Sequence, residues 1–213
     1  MSTEAVPRSP GLGEAASESL RKYSRRAAPY QRFLYWLAVV FLASAAVHGA
    51  AFLLGDLPWE GPVSWRKPLL FSFSFAAASA SIAWVMNYLA PRRALGWLLA
   101  VVFGVASVGE TALISMQVWR GTASHFNDRT PFDESVFAAM GFLIIGVAAV
   151  IVVLTVWSLV ALRAPTSLGW AIRAGLVLVV AGQAIGGIVL GEGFRQQELG
   201  PVDSPVPFGE QAR

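Results

Sequence analysis

The chain has 213 residues, 55% of them hydrophobic and 14% charged, with a mean hydropathy of +0.58. Soluble domains carry about 25% charged residues, and the apolar runs here exceed the roughly 18 to 20 residues of a bilayer span, so a soluble globular domain is excluded. The chain has no cysteine, which removes disulfides, thiol catalysis and thiolate metal sites together. Its net charge of +3 and pI near 9.7 fit the cytoplasmic Lys and Arg of a membrane protein, with no nucleic acid as partner.

The pattern predicts an all-α fold, a polytopic transmembrane helix bundle of about five spans in a lipid bilayer. A β-barrel is a poor fit, because the runs lack the alternation of barrel strands. Residues 1–30 read as a disordered basic tail, and residues 18–30 as a stretch able to lie on anionic headgroups. The next apolar run is too long for a signal-peptide core and reads as an uncleaved anchor. This first span, 33–54, opens on Tyr35 and Trp36 as interfacial anchors and contains His48.

Pro58, Gly61, Pro62 and Pro68 punctuate the following loop, with Pro68 suited to the first turn of the next helix. The second span, 69–89, is rich in Ala and Ser and is expected to pack centrally. After the basic turn Pro91-Arg92-Arg93 comes the third span, 95–120, which stops at Gly121 as a helix C′ residue. Thr130, Pro131 and Asp133 read as N-cap, N1 and N3 of a fourth helix, with its apolar span over 136–162. The fifth span, 168–190, carries Gly-xxx-Gly pairs at Gly182/Gly186 and Gly187/Gly191, faces suited to a homo-oligomer. The bundle thus covers 31–192, and 193–213 reads as a polar, Pro-containing tail.

Five spans put the termini on opposite sides. With the N-terminus cytoplasmic, ten Lys and Arg lie inside and six outside, which predicts N-in and C-out.

The chemistry concentrates between Glu110 and Asp133. Ser107, Glu110, Gln117 and Arg120 share one face of the third span, with Glu110 about 10 Å deeper than Gln117. His48 stands about 9 Å inside the first span, Gln183 at a similar depth in the fifth, and Lys67 at the outer start of the second. These groups are expected to share one level in the outer half of the membrane. An ionisable group inside a span is a functional hypothesis by default: a proton acceptor, a cation ligand or a counter-ion at Glu110. The plain alternative is a carboxyl hydrogen-bonded to neighbouring helices for packing. His48 has the same plain reading as a hydrogen-bonded structural histidine, and Gln183 as interhelical glue. In the loop, Ser124, His125, Phe126 and Asn127 have no capping explanation and suit a headgroup, anion or metal.

Trp65-Arg66-Lys67-Pro68, the motif Q-x-x-R-G-x-x-S-H-F-N over residues 117–127, and Thr130-Pro131-Phe132-Asp133 carry a resemblance. Over roughly residues 30–195 the chain resembles a group of bacterial multi-spanning integral membrane proteins of uncharacterised activity. The resemblance implies a helical fold in a bacterial cytoplasmic membrane and no particular reaction. It also implies a histidine where Gln183 stands and further spans with more histidines, so the chain reads as a short member or as lacking about two spans.

Three function classes follow. The first is binding of a small ligand or ion, or proton relay, in an outer-half pocket formed by Glu110, His48, Gln117, Arg120, His125, Asn127, Lys67 and Gln183. The second is a redox protein or enzyme, with haem held by the two histidines or a divalent metal held by His48, His125 and Glu110. The third is a structural oligomer without chemistry. No phosphate loop, nucleophile elbow or zincin helix favours an enzyme.

Overall fold

The computed structural model describes residues 27–199, with side chains through residue 196. Five helices lie in this range: α1 Pro29–Leu54, α2 Arg66–Leu89, α3 Arg93–Trp119, α4 Pro131–Ala161 and α5 Thr166–Leu199. All five are long and apolar enough to cross a membrane, and no strand occurs among the described residues. Most of the tail at 1–30 and residues 200–213 lie outside the described residues.

The helix ends follow from local chemistry. Thr130 caps α4 as expected, its Oγ1 accepting from the Asp133 N–H at 3.1 Å, with Pro131 at N1. Gly121 takes a left-handed φ of 67° after α3, while Gly121 N–H donates to Val118 O and Thr122 N–H to Gln117 O, both at 3.0 Å. These two bonds form a Schellman motif that satisfies carbonyls otherwise orphaned at the helix end. Ala90 closes α2 in the left-handed region, with Pro91 preventing continuation.

Two boundaries differ from expectation. α1 begins at Pro29, inside the stretch read as tail, because Gln31 anchors that turn. Its side-chain oxygen accepts from Ala28 N–H at 2.7 Å, and its amide donates to Ala83 O at 2.9 Å and Asn87 Oδ1 at 3.0 Å. α5 continues to Leu199, well past the expected end at 190. The Glu192–Arg195 pair at 2.5 Å and a bond from Gln196 to Glu192 at 3.2 Å support the added turns along the helix surface.

α1 and α2 form one closely packed pair and α3 and α4 another, with α1 and α2 also packed on α3. Leu34, Phe41, Met86, Phe103 and Leu154 are fully buried between them. Small residues set the distances: a β-carbon at Gly96 would stand 2.6 Å from the Tyr30 ring, and one at Gly104 2.9 Å from the Phe33 ring. Buried hydroxyls return to their own helix, as Ser79 Oγ does to Phe75 O at 2.6 Å and Thr155 Oγ1 to Ile151 O at 2.7 Å. α5 packs along α4 and is the least buried helix, and β-carbons at Gly182, Gly186, Gly187 and Gly191 would meet nothing within 4 Å.

The up-down order gives the bundle a turn end, with the start of α1 and the α2–α3 and α4–α5 turns, and a loop end, with the α1–α2 and α3–α4 loops and the end of α5.

Candidate functional site

Glu110 lies in the loop-end half of α3 on its buried face, in line with Phe103, Ser107, Ile114 and Gln117. It is 3% exposed, and its Oε2 is the one buried side-chain nitrogen or oxygen without a hydrogen-bond partner among the described residues. The nearest hydroxyls on its own helix are spent on the backbone: Ser107 donates to Phe103 O at 2.7 Å and Thr111 to Ser107 O at 2.9 Å. No ion pair reaches Glu110 among the described residues.

Gln117 and Arg120, which share its helical face, turn instead to Asp133. Gln117 Nε2 donates to Asp133 Oδ1 at 2.9 Å, Arg120 Nη1 to the same oxygen at 2.8 Å, and Thr130 Oγ1 to Oδ2 at 2.7 Å. Arg120 also donates to Gln117 Oε1, and its guanidinium lies 4.7 Å from the centre of the Phe132 ring. The sequence reading gave Asp133 only a capping role. It performs that role and also centres the network that pins the end of α3 to the start of α4. The T-P-F-D pattern locates the cap, but nothing in it announces the partners on α3.

His48 is likewise engaged. Its Nε2 accepts from the Trp119 indole N–H at 3.4 Å, and its Nδ1 lies 2.8 Å from Ser44 O. Indole is only a donor and a carbonyl only an acceptor, so these two contacts match the tautomer that carries its proton on Nδ1. Trp65 and Trp119 pack around it with ring centres 6.3 and 6.5 Å away, and 4.8 Å from each other. Below it the Ser44 and Ser72 hydroxyls share a hydrogen bond of 2.9 Å. His48 therefore stands level with Trp119, nine residues and about 14 Å of helix beyond Glu110.

The α3–α4 loop folds onto the loop end. Asn127 is buried and staples the loop, donating to Thr122 Oγ1 at 2.9 Å and Ala123 O at 2.8 Å while accepting from Arg129 N–H at 3.3 Å. His125 Nδ1 is hydrogen-bonded to the buried Ser124 hydroxyl at 2.9 Å, and its ring packs 6.3 Å from Phe71 and 5.8 Å from Phe137. Burial, helped by the charge of nearby Lys67, pushes the imidazole down to a pKa of about 4. Phe126 extends this contact to Phe137 and to Phe194 of α5, at 5.3 and 5.4 Å. Lys67 Nζ donates to Pro62 O at 3.5 Å.

The expected single pocket is thus divided. Glu110 lies alone inside α3, His48 sits in an indole cluster, Gln117 and Arg120 belong to Asp133, and His125 and Asn127 shape the loop. Gln183 is half-buried on α5 and makes no hydrogen bond among the described residues. No group of three or more His, Cys, Asp or Glu placed to hold a metal ion occurs among the described residues, so His48, His125 and Glu110 are not a metal centre. The two histidines do not face each other across a haem site either: each ring is packed among different aromatic residues. A cavity of about 330 Å³ opens between α3 and α4, lined by apolar residues such as Val105, Ala106, Phe142 and Gly146, and none of the candidate residues reaches it.

Fold and site together define a bundle of five helices long and apolar enough to cross a membrane, with one buried carboxyl oxygen left without a partner among the described residues. No family model, no curated protein and no solved structure matches the chain.

Proposed function

We propose that this chain is an integral protein of a bacterial cytoplasmic membrane, N-terminus inside, and that it binds and releases a proton at Glu110. The observation that carries this reading is the unpartnered Oε2 of a carboxyl buried inside a span, nine residues from its loop end. An ionised carboxylate there, with neither donor nor cation, is expensive, and packing alone needs no carboxylate. A bound metal ion would need several oxygen or nitrogen ligands, and no group of three or more His, Cys, Asp or Glu placed to hold one occurs among the described residues. A proton needs only the one group.

The polar residues that continue its face, Thr111 and Gln117, lead toward Asp133 and Arg120 at the loop end. Arg120 has a side chain 42% exposed, so that network meets the surface. The loop end is the outer side in this reading, because the basic turns at Arg92–Arg93 and Arg163 mark the cytoplasmic side.

The test compares the full chain with Glu110→Gln in liposomes. Infrared difference spectra across a pH change should contain a protonated carboxyl band that the variant lacks. Proton flux into vesicles loaded with a pH-sensitive dye should fall in the variant. The variant should keep its stability to within about 1 kcal/mol, because the amide has nearly the same shape. Identical spectra and flux from both proteins would remove the proton reading.

A further inference from the structure

The charges of the bundle are segregated by end. The described acidic side chains Asp56, Glu60, Asp128, Asp133, Glu134 and Glu192 lie at the loop end, where both ion pairs also form. Glu110 lies between the ends. The turn end carries Arg32, Arg92, Arg93, Arg163 and Arg173 and no acidic residue among the described side chains.

Contacts draw these arginines together. Arg163 N–H donates to Tyr88 O at 2.9 Å, which fastens the α4–α5 turn to the end of α2, four residues before Arg92. Tyr30 Oη donates to Pro91 O at 3.5 Å, and its ring fills the space beside Gly96, which brings the start of α1 against the same turn. Arg32, Arg92, Arg93 and Arg163 are all exposed, and none has an ion-pair partner among the described residues. Arg173 is different: its Nε donates to Ser158 O at 2.9 Å and its guanidinium lies 5.9 Å from the Trp170 ring centre.

We infer that the turn end is a binding site for anionic phospholipid headgroups, formed by Arg92 and Arg93 from one turn and Arg163 from the other, with Arg32 at its edge. Like charges brought together without acids repel one another unless a counter-charge stands between them. On the membrane reading proposed above, on which this inference rests, five helices long and apolar enough to cross a bilayer hold this end at headgroup depth. The phosphodiester of a lipid there supplies the missing charge, and a guanidinium presents paired donors that match its oxygens. Trp84, Tyr88, Trp97 and Trp170 stand at the same end, where an acyl chain leaves the headgroup layer. An orientation signal needs positive charge on one side, but not three exposed arginines from two turns tied together by a backbone bond.

The experiment uses the full chain in mild detergent with mixed phosphatidylglycerol and phosphatidylcholine, counting retained lipids by native mass spectrometry. Each arginine at headgroup level is expected to add a factor of about five. Three such factors multiply, so R92Q/R93Q/R163Q should lower the preference of the unaltered chain for phosphatidylglycerol about a hundredfold. The basic stretch 21–26 is present in every protein compared, so it does not contribute to the difference. R66Q/R129Q, at the loop end, should retain lipid as the unaltered chain does. If the triple variant keeps the full preference, or the loop-end variant loses it equally, the site is wrongly placed. If millimolar inorganic phosphate displaces the lipid from the unaltered chain, the site takes free anions and the lipid assignment fails. Should the triple variant not fold, R92Q, R93Q and R163Q are measured singly, and no loss in any of them overturns the proposal.

Discussion

Asp133→Ala tests whether the network at the loop end joins α3 to α4. Asp133 is buried and accepts from Gln117, Arg120 and Thr130 at 2.9, 2.8 and 2.7 Å. The ion pair is the smaller share, because the Arg120 side chain is 42% exposed and such pairs contribute about 1 kcal/mol or less. The buried Gln117 donor left behind costs about 1 kcal/mol, while the exposed Thr130 hydroxyl turns to water, which gives a loss of about 2 kcal/mol. Asp133→Asn keeps one oxygen acceptor and should lose about half of that, while Arg120→Ala should cost about 1 kcal/mol. The assay is reversible unfolding in mixed detergent micelles, followed by helical circular dichroism. If Asp133→Ala costs no more than Arg120→Ala, the carboxylate is no more than a surface partner of Arg120 and the pin between the helices does not exist.

Two further outcomes rest on particular contacts. The folded protein holds His125 neutral down to a pKa of about 4, while the unfolded chain takes up the proton near 6.5. Its contribution is therefore complete above pH 6.5 and is lost as pH falls toward 4. After allowance for its partial exposure the loss should be about 2 kcal/mol, read as the difference between the stability–pH profiles of the unaltered chain and His125→Asn. Equal profiles would mean that the ring is not desolvated. Gly96→Ala should destabilise by about 1 to 2 kcal/mol, since its methyl would stand 2.6 Å from a Tyr30 ring held at Pro91. Gly182→Ala meets open space and should be neutral or slightly stabilising. Equal stabilities for these two variants would overturn the close approach of α1 and α3.

The contacts that the sequence does not announce share one property: their partners lie far along the chain. Gln31 holds α1 to α2 through Ala83 and Asn87, and Asp133 binds Gln117 and Arg120 across a loop. His48 finds Trp119 at a separation of 71 residues. A rise of 1.5 Å per residue gives depth within one helix, but says nothing about how far neighbouring helices are shifted along their axes. α1 runs past the end of α3, which is why His48 meets the last residue of α3 and not Glu110.

Local order was legible. Apolar runs longer than a bilayer is thick require helices, because hydrocarbon leaves no other partner for the backbone. Thr130-Pro131 and Gly121 mark helix ends through bonds made within a few residues, and Glu110 stands out as a carboxyl in an apolar run. Rotation, stagger and neighbours came only with the tertiary structure. They depend on which small residues let helices approach, as Gly96 and Gly104 do beside Tyr30 and Phe33. That packing leaves Glu110 unpartnered while it gives Gln117 and Arg120 to Asp133, because side chains on one helical face are shared out among whichever helices lie against each turn.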